Sequence, residues 1–212
     1  MCRLLAVRDT APFPIAEMLE PLTAIAKASK EYQGDGWGCA WWTGDRWERY
    51  RSIRPIWEDD LDRFGMTTVL LGHARSAFRN EGIEVENNMP FLDDRSAFVF
   101  NGELRGVSLA VPGRIGAEKL FRFLRRLGAD TGMDRFRHAV DVVRRRTHYV
   151  RAMNLVLATG PTLRLATWFS EEPDYFTIHV SREGARTVVS SEPFSGPANW
   201  VPQPSGSSVE IG

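Results

Sequence analysis

The chain has 212 residues, and its 27 lysine and arginine residues balance its 27 aspartate and glutamate residues. A net charge of zero argues against a general nucleic-acid or membrane-surface binder, because such proteins carry excess positive charge. Hydrophobic residues make up 43% of the chain, which is typical of a folded protein and excludes a disordered one. With only two cysteines, Cys2 and Cys39, neither a disulfide scaffold nor a four-cysteine zinc site can be built.

The amino-terminal region has no export signal. Its first apolar run, residues 4–7, is flanked by Arg3 and Arg8 and is much shorter than the apolar part of such a signal. Elsewhere no stretch approaches the ~18 apolar residues that span a bilayer. We therefore expect a cytoplasmic protein that binds neither membrane nor nucleic acid.

The first third of the chain predicts strands around one helix. Ile15, Met18, Leu19 and Leu22 recur at helical spacing after Pro14, which suits the first position of a helix. In chain order we expect a strand at residues 2–7, a helix at 15–29, a hairpin of 39–42 with 47–50, a short acidic helix near 57–64 and a buried strand at 67–71.

The rest of the chain predicts strands on both sides of a helical pair. We expect an irregular stretch at 80–94, a strand at 96–100 ending at Asn101-Gly102, two helices, strands at 154–158, 163–169, 175–179 and 187–190, and a loop from Pro193 onwards. Apolar residues share one face of each helix: Leu120, Phe123, Leu124 and Leu127 in the first, and Met133, Phe136, Val140 and Val143 in the second. This order favours an α+β fold of antiparallel sheets with helices packed outside. We expect a single domain over residues 1–212.

Cys2 combines two reactive groups once Met1 is removed. A thiol has a reference pKa near ~8.5 and an α-amine near ~7.7–8, so the amine can accept the thiol proton near neutral pH. Chain ends are usually mobile and inert. Here, however, the apolar strand predicted at residues 4–7 holds residue 2 in the fold. One residue can therefore supply both nucleophile and base.

Three further segments carry candidate chemistry, and each has a plain structural alternative. The side-chain amide of Asn101 and the N–H of Gly102 can hold an oxyanion, although Asn-Gly is more often a turn. Arg75 follows a buried strand and can grip a carboxylate, or form a structural ion pair. Glycines around Trp37, in Asp-Gly-Trp-Gly at 35–38, allow a ligand close approach or simply form a tight turn.

Together these motifs form an ordered signature. The signature consists of Met1-Cys2-Arg3-Leu4, Asp35-Gly36-Trp37-Gly38, Gly72-His73-Ala74-Arg75, Asn87 with Pro90-Phe91, Asn101-Gly102 and Ser191-Glu192-Pro193. It resembles the class II glutamine amidotransferase domain, in particular its single-domain bacterial branch, from residue 2 to about residue 200.

The resemblance implies a fold and a mechanism. It implies an N-terminal-nucleophile (Ntn) hydrolase fold, a four-layer αββα sandwich of two antiparallel sheets between helices. It also implies that Cys2 attacks the γ-amide of glutamine or of a γ-glutamyl compound and forms a thioester. By the same resemblance Asn101 and Gly102 hold the oxyanion and Arg75 binds the substrate α-carboxylate.

The substrate-selecting part departs from the family pattern. Where the family carries an aspartate for the substrate α-amine, this chain has Gly116, and a glycine cannot neutralise an ammonium group. Glu118 could compensate, so we take it, with Trp37, as a candidate substrate-binding residue. Losing a charged partner to a buried ammonium costs a few kcal/mol. The sequence therefore predicts a γ-glutamyl compound, or an amide without a free α-amine, rather than glutamine.

Two other functions compete with the amidohydrolase. A non-catalytic binding or regulatory domain would keep the fold without the activity, and the altered substrate-selecting residues favour it somewhat. A metal-dependent hydrolase is the weaker alternative, because Cys39 and the histidines show no recognised ligand spacing. We expect no cofactor and no metal. The expected partners are a small-molecule substrate and, where ammonia is released, a protein that accepts it.

Overall fold

The computed structural model describes residues 1–212 apart from the side chain of Asn80. It contains twelve strands in two antiparallel sheets, together with helices and short 3₁₀ turns. The helices are α1 (Ile15–Ala28), α2 (Gly116–Arg126), α3 (Met133–Arg146) and α4 (Pro173–Phe176). Among the described residues, no helix is long and apolar enough to cross a membrane.

The larger sheet has seven strands and contains the amino-terminal strand near its centre. Its members are β1 (Arg3–Pro14), β2 (Trp37–Trp42), β3 (Trp47–Ser52), β4 (Met66–Ala74), β9 (His179–Glu183), β10 (Arg186–Ser190) and β11 (Val201–Pro202). Their spatial order is β11-β9-β10-β1-β4-β2-β3. Strand β1 is therefore paired on both sides, by β4 and by β10.

The smaller sheet has five strands. It comprises β5 (Phe91–Leu92), β6 (Ser96–Arg105), β7 (Tyr149–Thr159), β8 (Thr162–Ala166) and β12 (Ser208–Ile211), in the spatial order β12-β8-β7-β6-β5. The long pair β6 and β7 forms its centre.

The two sheets pack face to face between helical layers. Leu4 and Ala6 of β1 belong to the core between the sheets, whereas Leu5 and Val7 belong to the core beneath α1. Alternate residues of a strand face opposite sides, so β1 serves both cores. On the far side, Phe121 of α2 stacks on the smaller sheet. The α+β class and the four-layer αββα sandwich predicted from sequence are confirmed.

Helix α1 lies close to the larger sheet because of a glycine. A Cβ at Gly72 of β4 would lie 2.8 Å from a methyl carbon of Leu22, so a larger residue would push the helix away. The predicted helix, the predicted 39–50 hairpin and the helical pair all form at the expected places.

Four local predictions are wrong. Strand β6 runs through Asn101-Gly102 to Arg105, because the backbone there pairs with β7 instead of turning. The predicted strand at 175–179 begins as helix α4, since Pro173 suits a first helical turn. The acidic helix near 57–64 is a 3₁₀ turn at Ile56–Glu58. The predicted carboxyl-terminal loop contains β11 and β12, which extend the two sheets.

Candidate functional site

Cys2 stands at the entrance to β1, beside the end of β4. Arg3 pairs with Ala74, so Cys2 lies opposite the residues that follow β4. The Ser76 N–H donates to the Cys2 Sγ at 3.5 Å, and the thiol lies 3.6 Å from the Ser76 carbonyl oxygen. Cys2 lies two residues before Leu4, and side chains two residues apart in a strand face the same side. Cys2 therefore faces the second sheet, as Leu4 does.

Groups from the other end of the sequence anchor this terminus. The backbone N–H of Leu4 donates to the Ser191 Oγ at 2.9 Å, and the Ser191 N–H returns a bond to the Leu4 carbonyl at 3.0 Å. The buried guanidinium of Arg3 donates to the Tyr175 carbonyl at 3.3 Å and forms an ion pair with Glu192. Residue 2 is thus fixed from both sides of the sheet.

The electrostatics of Cys2 combine burial with nearby positive charge. Burial raises the pKa of the Cys2 thiol above its ordinary value. The chain-terminal ammonium, the Ser76 N–H and the charge of Arg75 act in the opposite direction and favour the thiolate. Because its pKa is raised, the thiol stays protonated at neutral pH, and it needs a neighbouring base in order to react as a nucleophile.

Arg75 is a buried guanidinium with no carboxylate partner among the described residues. Only 6% of it is exposed, and its two hydrogen bonds go to the Asn88 Oδ1 at 3.2 Å and the Glu81 carbonyl at 3.5 Å. Burial lowers the pKa of Arg75 from its usual value, while the nearby Cys2 and Asp35 act against that shift. A buried cation without an ionic partner is well suited to a carboxylate ligand.

The residues around Arg75 fix its position. Asp35 accepts a bond from the Ala77 N–H at 2.7 Å, and the Arg75 N–H donates to the Gly36 carbonyl at 2.9 Å. Asn88, which holds the guanidinium, donates in turn to the Ser52 carbonyl at 2.7 Å. Sequence reasoning did not identify Asn88, because an asparagine in an irregular segment carries no periodic signal.

Asn101 is buried with an amide that has no partner. Both its Nδ2 and its Oδ1 lack a hydrogen bond, although only 1% of the residue is exposed. Phe98 of the same strand stacks on α2, so alternation turns Asn101 to the opposite face, towards the larger sheet. The register partner Asn154 is fully engaged, with the Phe176 carbonyl at 2.7 Å and the Thr167 hydroxyl at 2.5 Å. Asn101 thus differs from its register partner in having neither amide atom hydrogen-bonded.

Beside Asn101, Gly102 packs closely against β7 of its own sheet, and His73 links the two sheets. A Cβ at Gly102 would lie 2.1 Å from the Ala152 carbonyl oxygen, so only glycine fits there. The His73 Nε2 lies 3.2 Å from the Phe100 carbonyl oxygen, which brings β4 against β6 one residue before Asn101. Burial, helped by Arg75, lowers the pKa of His73 to about 3, so this imidazole is neutral at physiological pH.

Met1, the residue before the candidate nucleophile, is largely covered, with only 10% of its side chain exposed. That side chain packs against a cluster containing Ala152, Tyr175 and Phe176. The Met1 carbonyl accepts from the Gln33 Nε2 at 2.5 Å and from the Tyr175 hydroxyl at 3.1 Å, and the ammonium pairs with Glu31.

Sequence reasoning missed the three polar side chains that hold Met1. Gln33 and Glu31 lie in a connection with no periodic signal, and Tyr175 lay within a strand that does not form. Only the folded chain brings Tyr175, which is distant in sequence, against the first residue.

Trp37 and Glu118 have contacts of a different kind. The indole of Trp37 is fully buried beneath α1, and its N–H donates to Asp59 at 3.0 Å. Glu118 accepts from the Arg114 N–H at 2.7 Å and from the Arg122 guanidinium at 2.8 Å. These contacts stabilise the fold, and they bring neither side chain to Cys2. The substrate-binding role of both residues stays a prediction.

Cys39 is wholly buried in β2, and burial raises the pKa of its thiol far above the usual value. Among the described residues, no three histidine, cysteine, aspartate or glutamate side chains come together as metal ligands.

Comparison with known proteins gives both sequence relatives and structural neighbours. Gamma-glutamyl-hercynylcysteine sulfoxide hydrolase from Mycobacterium tuberculosis (strain CDC 1551 / Oshkosh) is 27% identical over 188 residues, covering 84% of this chain and 75% of that protein. The protein of the same name from strain ATCC 25618 / H37Rv matches to the same extent. No protein-family profile matches this chain.

Three solved structures share the fold over nearly the whole chain. A glutamine aminotransferase class-II domain protein from Silicibacter pomeroyi superposes with a TM-score of 0.70 at 18% identity, covering 99% of this chain and 94% of the other. A predicted glutamine amidotransferase from Pseudomonas aeruginosa gives 0.58 at 17%, covering 99% and 96%. Glutamine phosphoribosylpyrophosphate amidotransferase from B. subtilis gives 0.66 at 16%, covering 90% of this chain but 42% of that enzyme.

The αββα sandwich with β1 at its centre is the Ntn-hydrolase fold. Within that class, the chain has the fold of the class II glutamine amidotransferase domains, as the sequence signature predicted.

Proposed function

We propose that this protein is an amidohydrolase that cleaves the γ-amide bond of a γ-glutamyl compound through a thioester on Cys2. Three features support the proposal: a thiol that contacts the residue after Arg75, a buried guanidinium without a carboxylate partner among the described residues, and a buried amide without a partner at Asn101. Asn101 directly follows Phe100, whose carbonyl oxygen lies 3.2 Å from the His73 Nε2 of β4, the strand that ends beside Arg75. Leaving a buried polar group unsatisfied costs about 1–3 kcal/mol, so such groups call for a ligand.

Substrate binding begins at Arg75. The guanidinium receives the α-carboxylate of the γ-glutamyl group, and Asn88 keeps it in place. A γ-glutamyl chain of this length then extends towards Cys2, because the Ser76 backbone that contacts the Sγ directly follows Arg75. The reacting carbonyl is thereby held against the nucleophile.

The thiol then attacks the γ-carbonyl carbon. A carbon–sulfur bond forms, the carbonyl oxygen becomes an oxyanion, and the amide N–H₂ of Asn101 with the backbone N–H of Gly102 stabilises it. Collapse of this intermediate breaks the carbon–nitrogen bond and leaves a γ-glutamyl thioester. Water hydrolyses the thioester to release glutamate and regenerate the thiol.

The base in this scheme is the α-amine of Cys2, exposed by removal of Met1. It takes the thiol proton and gives it to the departing nitrogen. Gln33 and Tyr175, which hold the Met1 carbonyl, lie next to that nitrogen. The Oε1 of Gln33 is buried without a partner, so this amide can accept a bond from the freed amine. Gln33 is therefore a positioning residue for the base.

The substrate class follows from the lost aspartate. Gly116 supplies no charge, and Glu118 is engaged by Arg114 and Arg122. A γ-glutamyl amide with a substituted nitrogen thus suits the chain better than glutamine does, in keeping with the hydrolase name of the relative. We place the reaction in the cytoplasm, where a thiol stays reduced. An ammonia-accepting partner is required only if glutamine is the substrate.

The decisive experiment combines intact mass with active-site labelling. The purified protein is treated with a glutamine-like diazo-ketone and, separately, assayed with γ-glutamyl-p-nitroanilide. We expect Met1 to be absent, one label on Cys2, none on Cys39 and release of the coloured amine. A fully processed protein that neither labels at Cys2 nor releases the amine contradicts the proposal.

The second candidate is a binding domain without activity, which Gly116 favours. It predicts that processed protein binds glutamate or a γ-glutamyl amide through Arg75 but never forms a thioester. Mass spectrometry of acid-quenched mixtures distinguishes the two functions, because only the enzyme carries a γ-glutamyl adduct.

A further inference from the structure

The proposed reaction places the leaving group next to the volume that Met1 occupies. In the proposed reaction the Cys2 α-amine protonates the departing nitrogen, so these two nitrogens must be neighbours. The same α-amine was the nitrogen bonded to Met1 before processing. Removal of Met1 therefore empties space directly beside the departing nitrogen.

That space is lined by apolar and aromatic side chains. Met1 packs against Ala152, Tyr175 and Phe176, with Phe169 also bordering the cluster. A methionine side chain fits with nine-tenths of its surface covered, so the space accepts a body of at least that size. Ammonia, the leaving group of glutamine, would leave these walls without contacts.

The charged groups around this space balance one another while Met1 is present. Four carboxylates converge on Arg151, namely those of Glu31, Glu103, Glu171 and Glu172. Two more cations join them, because Lys30 pairs with Glu172 and Arg105 pairs with Glu103. The Met1 ammonium, paired with Glu31, is the fourth positive charge.

Processing transfers the chain terminus from Met1 to the Cys2 α-amine, which the proposed mechanism uses in its neutral form as the base, so Glu31 loses the ammonium partner that Met1 supplies. Among the described contacts, Glu31 then keeps only Arg151, at 3.5 Å and shared with three other carboxylates. A carboxylate whose one remaining cation is shared with three other carboxylates attracts a further cation, and neighbouring aromatic rings favour a cation as well.

We infer that the space vacated by Met1 is the leaving-group subsite, and that it selects a substituted amine with an apolar body and a positive charge directed at Glu31. This inference rests on the proposed function and names the substrate class within it. Glu31 and the cluster of Ala152, Phe169, Tyr175 and Phe176 then determine specificity on the side of the scissile bond opposite Arg75.

A matched series of γ-glutamyl amides tests the inference on processed protein. The series is the neutral benzylamide, the cationic 4-(aminomethyl)benzylamide, the anionic 4-carboxybenzylamide and glutamine. We expect kcat/KM of the cationic amide to exceed that of the neutral amide by about tenfold, the size of one carboxylate or cation–π contact. Glutamine and the anionic amide should be the poorest substrates.

The variant Glu31→Gln tests whether Glu31 causes the preference for a cationic leaving group. In this variant the ratio of cationic to neutral turnover should fall to near one. The control is Glu17→Gln, a change of an exposed glutamate on α1 that pairs with Arg186, and it should keep the wild-type ratio. An unchanged ratio in Glu31→Gln overturns the role of Glu31.

Ala152→Leu tests the apolar walls, because the larger side chain fills the space left by Met1. We expect benzylamide turnover to fall relative to glutamine turnover. Should this variant not fold, inhibition of wild-type protein by 1,4-bis(aminomethyl)benzene, and its loss in Glu31→Gln, tests the same subsite.

The outcomes separate the two levels of the proposal. If glutamine is the best substrate, or the anionic amide equals the cationic one, the inference fails while the amidohydrolase stands. If processed protein turns over no member of the series and forms no adduct at Cys2, the proposed function itself fails.

Discussion

The two cysteines of this chain differ in their chemical surroundings, although Cys39 lies in a strand of the larger sheet and Cys2 directly precedes another strand of the same sheet. Cys39 belongs to β2 and is sealed in the apolar core beneath α1, where burial raises the pKa of its thiol. Burial also raises the pKa of the Cys2 thiol, but Arg75 and the Ser76 N–H lie beside it and favour the thiolate. Cys39 also has neighbours that lower its pKa, the Tyr50 backbone and Arg63, but burial outweighs them, and this thiol is closed off from solvent. Cys2 is only half-buried and lies beside the chain-terminal ammonium and Arg75. The difference teaches that a thiol becomes a candidate nucleophile where partial exposure and nearby positive charge coincide.

A similar contrast separates the two asparagines paired across β6 and β7. Asn154 uses both amide atoms to hold neighbouring segments, whereas Asn101 uses neither. The first asparagine stabilises the fold and the second is kept at a cost in stability, which is typical of a group that waits for a ligand. Mutations can therefore test stability and activity separately.

The largest expected effect comes from Cys2→Ala. Loss of the nucleophile should reduce γ-glutamyl amide hydrolysis by at least about 10³-fold, as removal of a covalent nucleophile does elsewhere. Cys39→Ala should retain activity and cost about 1 kcal/mol of stability through a small cavity. Initial rates and thermal unfolding measure the two effects. Equal activity losses in both variants would falsify the distinction between the cysteines.

Arg75→Leu should act mainly on substrate binding. Without the guanidinium the α-carboxylate loses its charged partner, and KM for a γ-glutamyl amide should rise by about 10²-fold. Because Arg75 has no carboxylate partner among the described residues, the variant should lose only the stability that the hydrogen bonds to Asn88 and the Glu81 carbonyl supply, about 1–3 kcal/mol. A large drop in stability with unchanged KM would show that Arg75 is structural instead.

Asn101→Ala should separate catalysis from stability most clearly. Loss of one oxyanion donor should lower kcat by about 10²–10³-fold, with little change in KM. Stability should hold, because no hydrogen bond is lost. The matched control Asn154→Ala removes two buried hydrogen bonds and should destabilise the protein by about 1–3 kcal/mol. The idea is wrong if Asn101→Ala unfolds as readily as Asn154→Ala.

The pH dependence of thiol alkylation sharpens the comparison of the cysteines. Burial raises the pKa of Cys2, so the iodoacetamide rate of protein that retains Met1 should climb with pH to values above the ordinary thiol range. Arg75→Leu removes a charge that lowers this pKa, so the rate at pH 8 should decrease further. A Cys39→Ala background isolates the signal. Faster alkylation in the Arg75 variant would contradict the electrostatic assignment.

The smallest effects on activity are expected at Trp37 and Glu118. Trp37→Phe loses the bond to Asp59, and Glu118→Gln weakens the contacts with Arg114 and Arg122. Each change should cost about 1–2 kcal/mol of stability and leave KM within about twofold. A tenfold rise in KM in either variant would instead establish the substrate contact that the sequence pattern predicted.

The sequence predicted the fold well because its signals are local. Periodicity marks α1 and the helical pair, and the ordered motifs around Cys2, Arg75 and Asn101 indicate one fold. The strand through Asn101-Gly102 was missed, since the dipeptide favours a turn locally while pairing with β7 overrides it. Glu31, Gln33 and Tyr175 were missed for another reason: their role depends on long-range contacts with Met1 that no local pattern encodes.

Coverage of Met1 by segments from later in the chain limits when Met1 can be removed during synthesis. In the folded chain nine-tenths of the Met1 side chain is covered and its ammonium is ion-paired, so an aminopeptidase cannot readily bind this residue. On the proposed mechanism, the cleavage that creates the base must therefore precede packing of α4, whose Tyr175 and Phe176 cover Met1 and which ends at Phe176. At about 5–20 residues per second, synthesis reaches that point in roughly ten to forty seconds. The time needed to synthesise the second half of the chain thus limits removal of Met1, and protein that folds first keeps the Cys2 α-amine blocked as a peptide bond, without the base that the mechanism needs.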